Sequence, residues 1–208
     1  MAYSVKTPWW LRSVYGKQVW RMPKEDQPAV YLTFDDGPHP TATPFVLDQL
    51  KQYGAKATFF CIGKNIEEFP DIYQRILDEG HTVGNHTQNH VNGWKTDTEA
   101  YLDDVKQATK HIKSKLFRPP YGRISRVQSN FMIQAGWKII MWDVLSGDFD
   151  LELTPEKCLQ NVEKHMEPGS IVVFHDSEKA WARMYYALPK VLAFCKDKNW
   201  ELKAIPNE

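Results

Sequence analysis

Two carboxylates stand side by side at the end of an apolar run: YLTFDDGP, residues 31–38, ends on Asp35-Asp36 and turns through Gly37-Pro38. An Asp-Gly turn accounts for Gly37 but not for a second adjacent acid. Successive residues at a strand end point to opposite faces, so one carboxylate can hold a metal while its neighbour addresses a water. NHTQNH, residues 85–90, supplies the complement, with His86 and His90 four positions apart. A helical turn would put both imidazoles on one side. Two histidines and one carboxylate leave open positions on a divalent ion, the arrangement of a catalytic rather than a structural site. Zinc suits this donor set, with cobalt, nickel or manganese as alternatives.

Three further segments carry polar groups: Arg118 ahead of Pro119-Pro120, Asp148 in WDVLSGDFD, and His175-Asp176 at the end of SIVVFHD. A guanidinium fixed by a Pro-Pro turn can hold a carboxylate in register. Asp148 is a candidate to orient His175, as a carboxylate orients a catalytic imidazole. His39, His81, His111 and His165 lack such a context; His39 is near enough to the acidic turn to line a cleft, and His111 and His165 fall on predicted, solvated helices.

Alternating strands and helices must position these groups. Strands are predicted over 29–34, 56–62 and 81–85, briefly before 118, then over 137–143, 170–175 and 200–205. Helices are predicted over 43–53, with Thr43 as cap and Pro44 in first position, and over 70–79. Others run from a Thr96/Glu99 capping box to about 116, over 125–135, from Thr154-Pro155 to before Pro168, and over 181–198, with a kink at Pro189. Alternation of this kind implies parallel βαβ units. About seven parallel strands, one short of a closed eight-stranded barrel, predict an α/β fold built as a distorted, incomplete (β/α) barrel. An open doubly wound sheet is the alternative. No Gly-x-Gly-x-x-Gly follows the first strand, so dinucleotide binding is unsupported. In a barrel each polar segment falls at the C-terminal end of a strand, where the chemistry sits.

The 208 residues suit one domain. Twenty-six basic residues balance 26 acidic ones, which removes the electrostatic case for nucleic acid as a partner. Aromatic residues are abundant, and any left in a groove would suit the flat faces of a sugar. Cys61, Cys158 and Cys195 are odd in number and scattered, against a disulfide framework. No signal-peptide core opens the chain and no stretch approaches a transmembrane span. The expectation is a cytoplasmic protein, or an exported one if the sequence is a shortened form. Residues 1–24 carry five basic residues and no acid around Trp9, Trp10 and Leu11. A peripheral membrane contact is conceivable, but a strap packed across the domain with its basic tips in water is favoured.

The chain resembles the polysaccharide deacetylases, carbohydrate esterase family four, which share the NodB-homology domain. Five motifs carry the resemblance in order: TFDDGP (33–38), His86-Thr-x-x-His90, Arg118-x-Pro120-Tyr121-Gly122, the Asp148 segment, and His175. It implies a catalytic domain over 28–208 behind an N-terminal strap of 1–27. It also implies a metal on Asp36, His86 and His90, with Asp35 as base, Arg118 as its tether, His175 as general acid and Asp148 adjusting it. The Tyr121 backbone N–H would stabilise an oxyanion, and Tyr121, Phe149 and Trp142 would meet the sugar. The chain departs from the family at Leu145, where a first acid is usual, at Phe149 in place of Trp, and at Val173 in place of Leu. The activity implied is removal of N-acetyl groups from glycans containing N-acetylglucosamine. A small-amide amidase and a metal-containing glycan-binding module without turnover are the alternatives.

Overall fold

The computed structural model describes residues 3–207. Met1, Ala2 and Glu208, which belong to the expected strap and catalytic domain, lie outside the described residues. The elements in chain order are α1 (Trp9–Val14), β1 (Ala29–Asp35), α2 (Ala42–Gln52), β2 (Thr58–Cys61), α3 (Gly63–Glu68), α4 (Pro70–Asp78), β3 (Thr82–Asn85) and α5 (Thr98–Ala108). There follow β4 (Leu116–Phe117), α6 (Arg126–Gln134), β5 (Lys138–Ile139), β6 (Val144–Leu145), α7 (Pro155–His165), β7 (Ile171–His175), α8 (Trp181–Asp197) and β8 (Glu201–Leu202). Seven strands pair in the order β5-β4-β3-β2-β1-β7-β6, and β8 adds to the start of β1. Every pair is parallel. The sheet is open and strongly curled, a distorted, incomplete barrel, as the strand count predicts.

β1 is buried along its whole length, as expected for a central parallel strand covered on both faces. Its pleat divides the core. Val30, Leu32 and Phe34 pack with Leu47, Leu50 and Leu188 from α2 and α8. Phe34 stacks between Phe59 and Phe174 of the neighbouring strands, with centroids 5.1 and 6.2 Å away. On the other face, Ala29 and Tyr31 join Phe60, Leu116, Ile140 and Ile171. Asp35 continues that second face, so its carboxylate is directed by the same alternation that fills the barrel.

The segment before β1 pairs with both sheet edges. Val19 bridges to Ile140 beyond β5, and Lys6 bridges to Val144 of β6. Both exposed edges are thereby covered. Lys17 and Lys24 are exposed, as expected for the strap, but three of its five basic residues are not simply in water. Lys6 lies 2.8 Å, Arg21 3.4 Å and Arg12 3.7 Å from the buried carboxylate of Asp143. Trp9, Trp10 and Val14 face solvent. Among the described residues no helix is long and apolar enough to cross a membrane, and the three cysteines are free and buried.

Local chemistry moved several boundaries. Asp97, not Thr96, caps α5 by accepting from Ala100 N–H, and α5 stops at Ala108. The Thr96 hydroxyl is instead taken by the Asn92 carbonyl. α6 has a capping box of Ser125 and Gln128. The predicted strand over 137–143 shrinks to β5 because the Ile140 and Met141 carbonyls turn to Arg118. The chain then crosses to the far edge as β6, which was not expected, and neither was α3. Asp148 therefore follows β6. Thr43 is the second residue of α2 and not its cap, and Pro44 is the third. α8 runs unbroken from Trp181 to Asp197 with Pro189 inside it.

Candidate active site

Asp36 is the first residue past β1 and turns left-handed, at φ 81°. That turn sends its carboxylate away from the side taken by Asp35. His86 follows β3, but no helical turn carries His86 and His90. The loop folds through left-handed Thr87 (φ 67°) and His90 (φ 56°) instead. Polar groups hold this strain: Asn85 accepts from Thr87 N–H at 2.8 Å, and Asp104 accepts from the N–H groups of Gln88 and Asn89 at 2.8 and 3.0 Å.

The result brings three ligand atoms within 4.8 Å of one another. Nε2 of His90 lies 3.1 Å and Nε2 of His86 3.6 Å from Asp36 Oδ1. His86 Nδ1 is 2.7 Å from the Arg118 carbonyl, to which only an N–H can donate. That bond selects the tautomer with a bare Nε2 facing Asp36. Asp36 Oδ1 is buried and makes no hydrogen bond, a costly state that a cation would relieve. Burial pushes the Asp36 pKa up, but the neighbouring imidazoles of His86 and His90 and the charge of His175 hold it well below the usual carboxylate value. The donor set fits a divalent ion.

Asp35 faces the barrel interior. Nη1 of Arg118 donates to its Oδ1 at 2.7 Å and to Thr33 Oγ1 at 2.6 Å. Nε and Nη2 donate to the Ile140 and Met141 carbonyls at 3.1 and 2.9 Å. Arg118 is fully buried, with its guanidinium 4.2 Å from the Phe60 ring. Asp35 and His175 are register partners on β1 and β7, so the two stand at one level of adjacent strands. Asp148 grips His175 twice: Oδ2 accepts the backbone N–H at 2.7 Å and Oδ1 meets Nδ1 at 2.8 Å. Burial works against the imidazolium, but Asp148 more than offsets it and the His175 pKa is pushed up to about 10. Arg183 donates to the Asp148 carbonyl at 2.6 Å.

Asp176 was given no role by its sequence context. Its carboxylate accepts from Gly37 N–H at 3.1 Å and from the Thr43 hydroxyl, so it braces the turn after Asp36. A Cβ on Gly37 would fall 2.1 Å from it, which is why Asp176 can approach only a glycine. Burial pushes its pKa up to about 8. The available signal was an acid directly after an apolar strand.

Tyr121 sits in a left-handed turn (φ 59°), its exposed ring 4.6 Å from that of His90. Phe149 presents an edge contact to His175 at 5.3 Å. Trp142 is half-buried behind the turn, where a Cβ on Gly122 would come within 2.6 Å of its ring. Leu145 is a buried residue of β6, opposite Val173. The other histidines serve the scaffold. His39 Nδ1 accepts from Thr41 and Ala42 N–H at the start of α2. Burial pushes the His81 pKa down to about 4. His111 lies in the turn after α5 beside Glu67, and His165 is the last residue of α7.

The family model described as polysaccharide deacetylase matches residues 22–140. A peptidoglycan-N-acetylglucosamine deacetylase of Bacillus cereus is 33% identical over 196 residues, covering 91% of this chain and 92% of the relative. A chitooligosaccharide deacetylase of Azorhizobium caulinodans is 33% identical over 159 residues, covering 73% and 75%. Among solved structures, the Bc1960 peptidoglycan N-acetylglucosamine deacetylase, in complex with an N-hydroxybenzamide, superposes with a TM-score of 0.87 at 32% identity, covering 94% of each chain. The chain belongs to the polysaccharide deacetylase family.

Proposed function

We propose that the protein is a metal-dependent N-deacetylase that releases acetate from glycans containing N-acetylglucosamine. The observation that carries this reading is the meeting of a His-His-Asp cluster with two separately built groups, Asp35 on Arg118 and His175 on Asp148. The names of the relatives support the substrate class.

Asp36, His86 and His90 would hold the ion, with zinc the best match to the donors. Bound there, it supplies Lewis acidity toward a water and an acetyl carbonyl. Asp35, held by Arg118, takes the proton of the attacking water. The left-handed turn at Tyr121 offers its backbone N–H to the oxyanion of the tetrahedral intermediate. His175 keeps Nδ1 on Asp148, which leaves Nε2 for the substrate. From Nε2 it protonates the departing amine nitrogen, so that acetate and a free amino sugar leave. An amine is a poor leaving group without that proton, which is why an imidazole kept charged by Asp148 suits an amide.

The test is acetate release from chitooligosaccharides and peptidoglycan fragments by chelator-stripped protein, before and after zinc is added. Zinc-dependent acetate from either supports the reading. Absence of acetate from both, with zinc shown to bind, would refute it.

A further inference from the structure

The loop after β3 and the turn after β4 run side by side, tied by two side-chain contacts. At the first, the Tyr121 ring meets His90. At the second, the Arg123 guanidinium lies 4.0 Å from the centre of the Trp94 ring. Between them Gly93 N–H donates to the Arg123 carbonyl at 3.1 Å, and the Trp94 indole N–H donates to the Ile124 carbonyl at 3.1 Å. Gln128 holds the Gly93 and Thr96 carbonyls at 2.9 and 3.2 Å. A Cβ on Gly93 would lie 2.5 Å from the Arg123 carbonyl oxygen, so the two backbones meet at a position only glycine fits.

This bracing fixes Trp94 without burying it: the residue is 60% exposed, and Tyr121 is 61% exposed. A large indole that is fixed in place and open to water can stack on a ligand with little further loss of side-chain freedom. Trp94 and the candidate ligand His90 lie on the same loop, and each contacts the turn after β4, through Arg123 and Tyr121 respectively. Among the described residues Arg123 makes no ion pair, and its guanidinium edge is not engaged.

We propose that Trp94 and Arg123 form a second sugar subsite, which takes a carboxylate-bearing sugar next to the N-acetylated unit that reacts. The inference rests on the deacetylase reading above. The indole stacks on the C–H face of the ring, and the guanidinium, already fixed on the indole, presents its N–H fork to the carboxylate. A peptidoglycan-type glycan freed of its peptides, whose alternate sugar then carries a free carboxylate on an ether arm, satisfies both groups. A chitooligosaccharide has no such charge and satisfies only the indole.

The experiment compares three tetrasaccharides: one alternating N-acetylglucosamine with the carboxylate-bearing sugar, its methyl ester, and chitotetraose. Zinc-loaded wild type, Arg123→Gln and Trp94→Ala are assayed for acetate release, and each glycan's affinity is measured by calorimetry. Wild type is expected to prefer the free carboxylate to its ester. Arg123→Gln should lower that preference about tenfold, the size of one charge-assisted hydrogen bond. Trp94→Ala should raise KM on all three while kcat holds. An unchanged carboxylate-to-ester ratio in Arg123→Gln, or an unchanged KM in Trp94→Ala, would overturn the proposal. Arg123-dependent preference in calorimetry without acetate from any glycan would uphold the subsite and refute the deacetylase reading.

Discussion

Arg118 sets its buried charge against one carboxylate, that of Asp35, at 2.7 Å. Its other donors end on neutral oxygens of Thr33, Ile140 and Met141. Burial pulls the guanidinium pKa below its usual value while Asp35 opposes the shift. Each charge therefore depends on the other. Arg118→Met should cost about 3–5 kcal/mol in urea unfolding, because it strands a carboxylate in the barrel. Asp35→Asn keeps one hydrogen bond to Nη1 and should cost about 3 kcal/mol, at the low end of breaking such a pair. The same Asn variant should still bind zinc, since Asp36, His86 and His90 are intact, yet lose turnover. Hydrolysis surviving in Asp35→Asn would remove Asp35 as the base.

Zinc binding can be read from stability without any assay of activity. A ligand that binds only the folded chain at a hundred times its Kd adds about 2.7 kcal/mol. Calorimetric scans with chelator and then with zinc should show that gain in wild type. His90→Ala removes one of the three donors and should abolish it. A gain of equal size in His90→Ala would place the ion elsewhere.

His175 should give the alkaline limb of the reaction. Its pKa is raised to about 10 by Asp148, so the proton stays on through neutral pH. In metal-free protein the pair's contribution to stability is full below about 6.5, the ordinary imidazole pKa, and is lost as pH rises through about 10. Asp148→Asn should flatten that slope in urea unfolding and move the alkaline limb of kcat/KM to lower pH. In addition, His175→Ala should reduce amide hydrolysis far more than hydrolysis of activated aryl acetates, whose leaving groups need no proton. Equal losses on both substrates would end the general-acid role.

Much of this site could be read in the chain because parallel strands deliver their C-terminal ends to one face. Asp35-Asp36, Arg118 and His175 each end an apolar run, and the run itself announces the strand. What was hidden depended on contacts between distant segments. β5 shortens because Arg118 takes the Ile140 and Met141 carbonyls, a demand made from 22 residues away. The His86–His90 spacing reads as helical, yet left-handed backbone at Thr87 and His90 is held by Asn85 and by Asp104, whose helix had first to be placed. Lys6, Arg12 and Arg21 look solvated until the strap lies over Asp143. Trp94 and Arg123 have no shared periodicity, and only the meeting of two loops pairs them.

Asp176 offers a final test, because it is a buried acid that makes no ion pair among the described residues. It accepts from Gly37 N–H and the Thr43 hydroxyl, and burial raises its pKa from 3.8 to about 8. The folded state therefore keeps a proton that the unfolded chain releases. In metal-free protein the stability due to this proton is full below about pH 4 and is lost as pH rises toward about 8. An amide needs no such proton: its oxygen can accept from Gly37 and its NH2 can donate to Thr43. Asp176→Asn should thus match wild type near pH 4 and be the more stable protein at pH 8, as judged by urea unfolding at both values. Asp176→Ala should instead lose stability at both, because it leaves Gly37 N–H buried and unpaired. If the difference between Asp176→Asn and wild type does not grow with pH, Asp176 is ionised in the folded chain and the brace on Gly37 is a charged one.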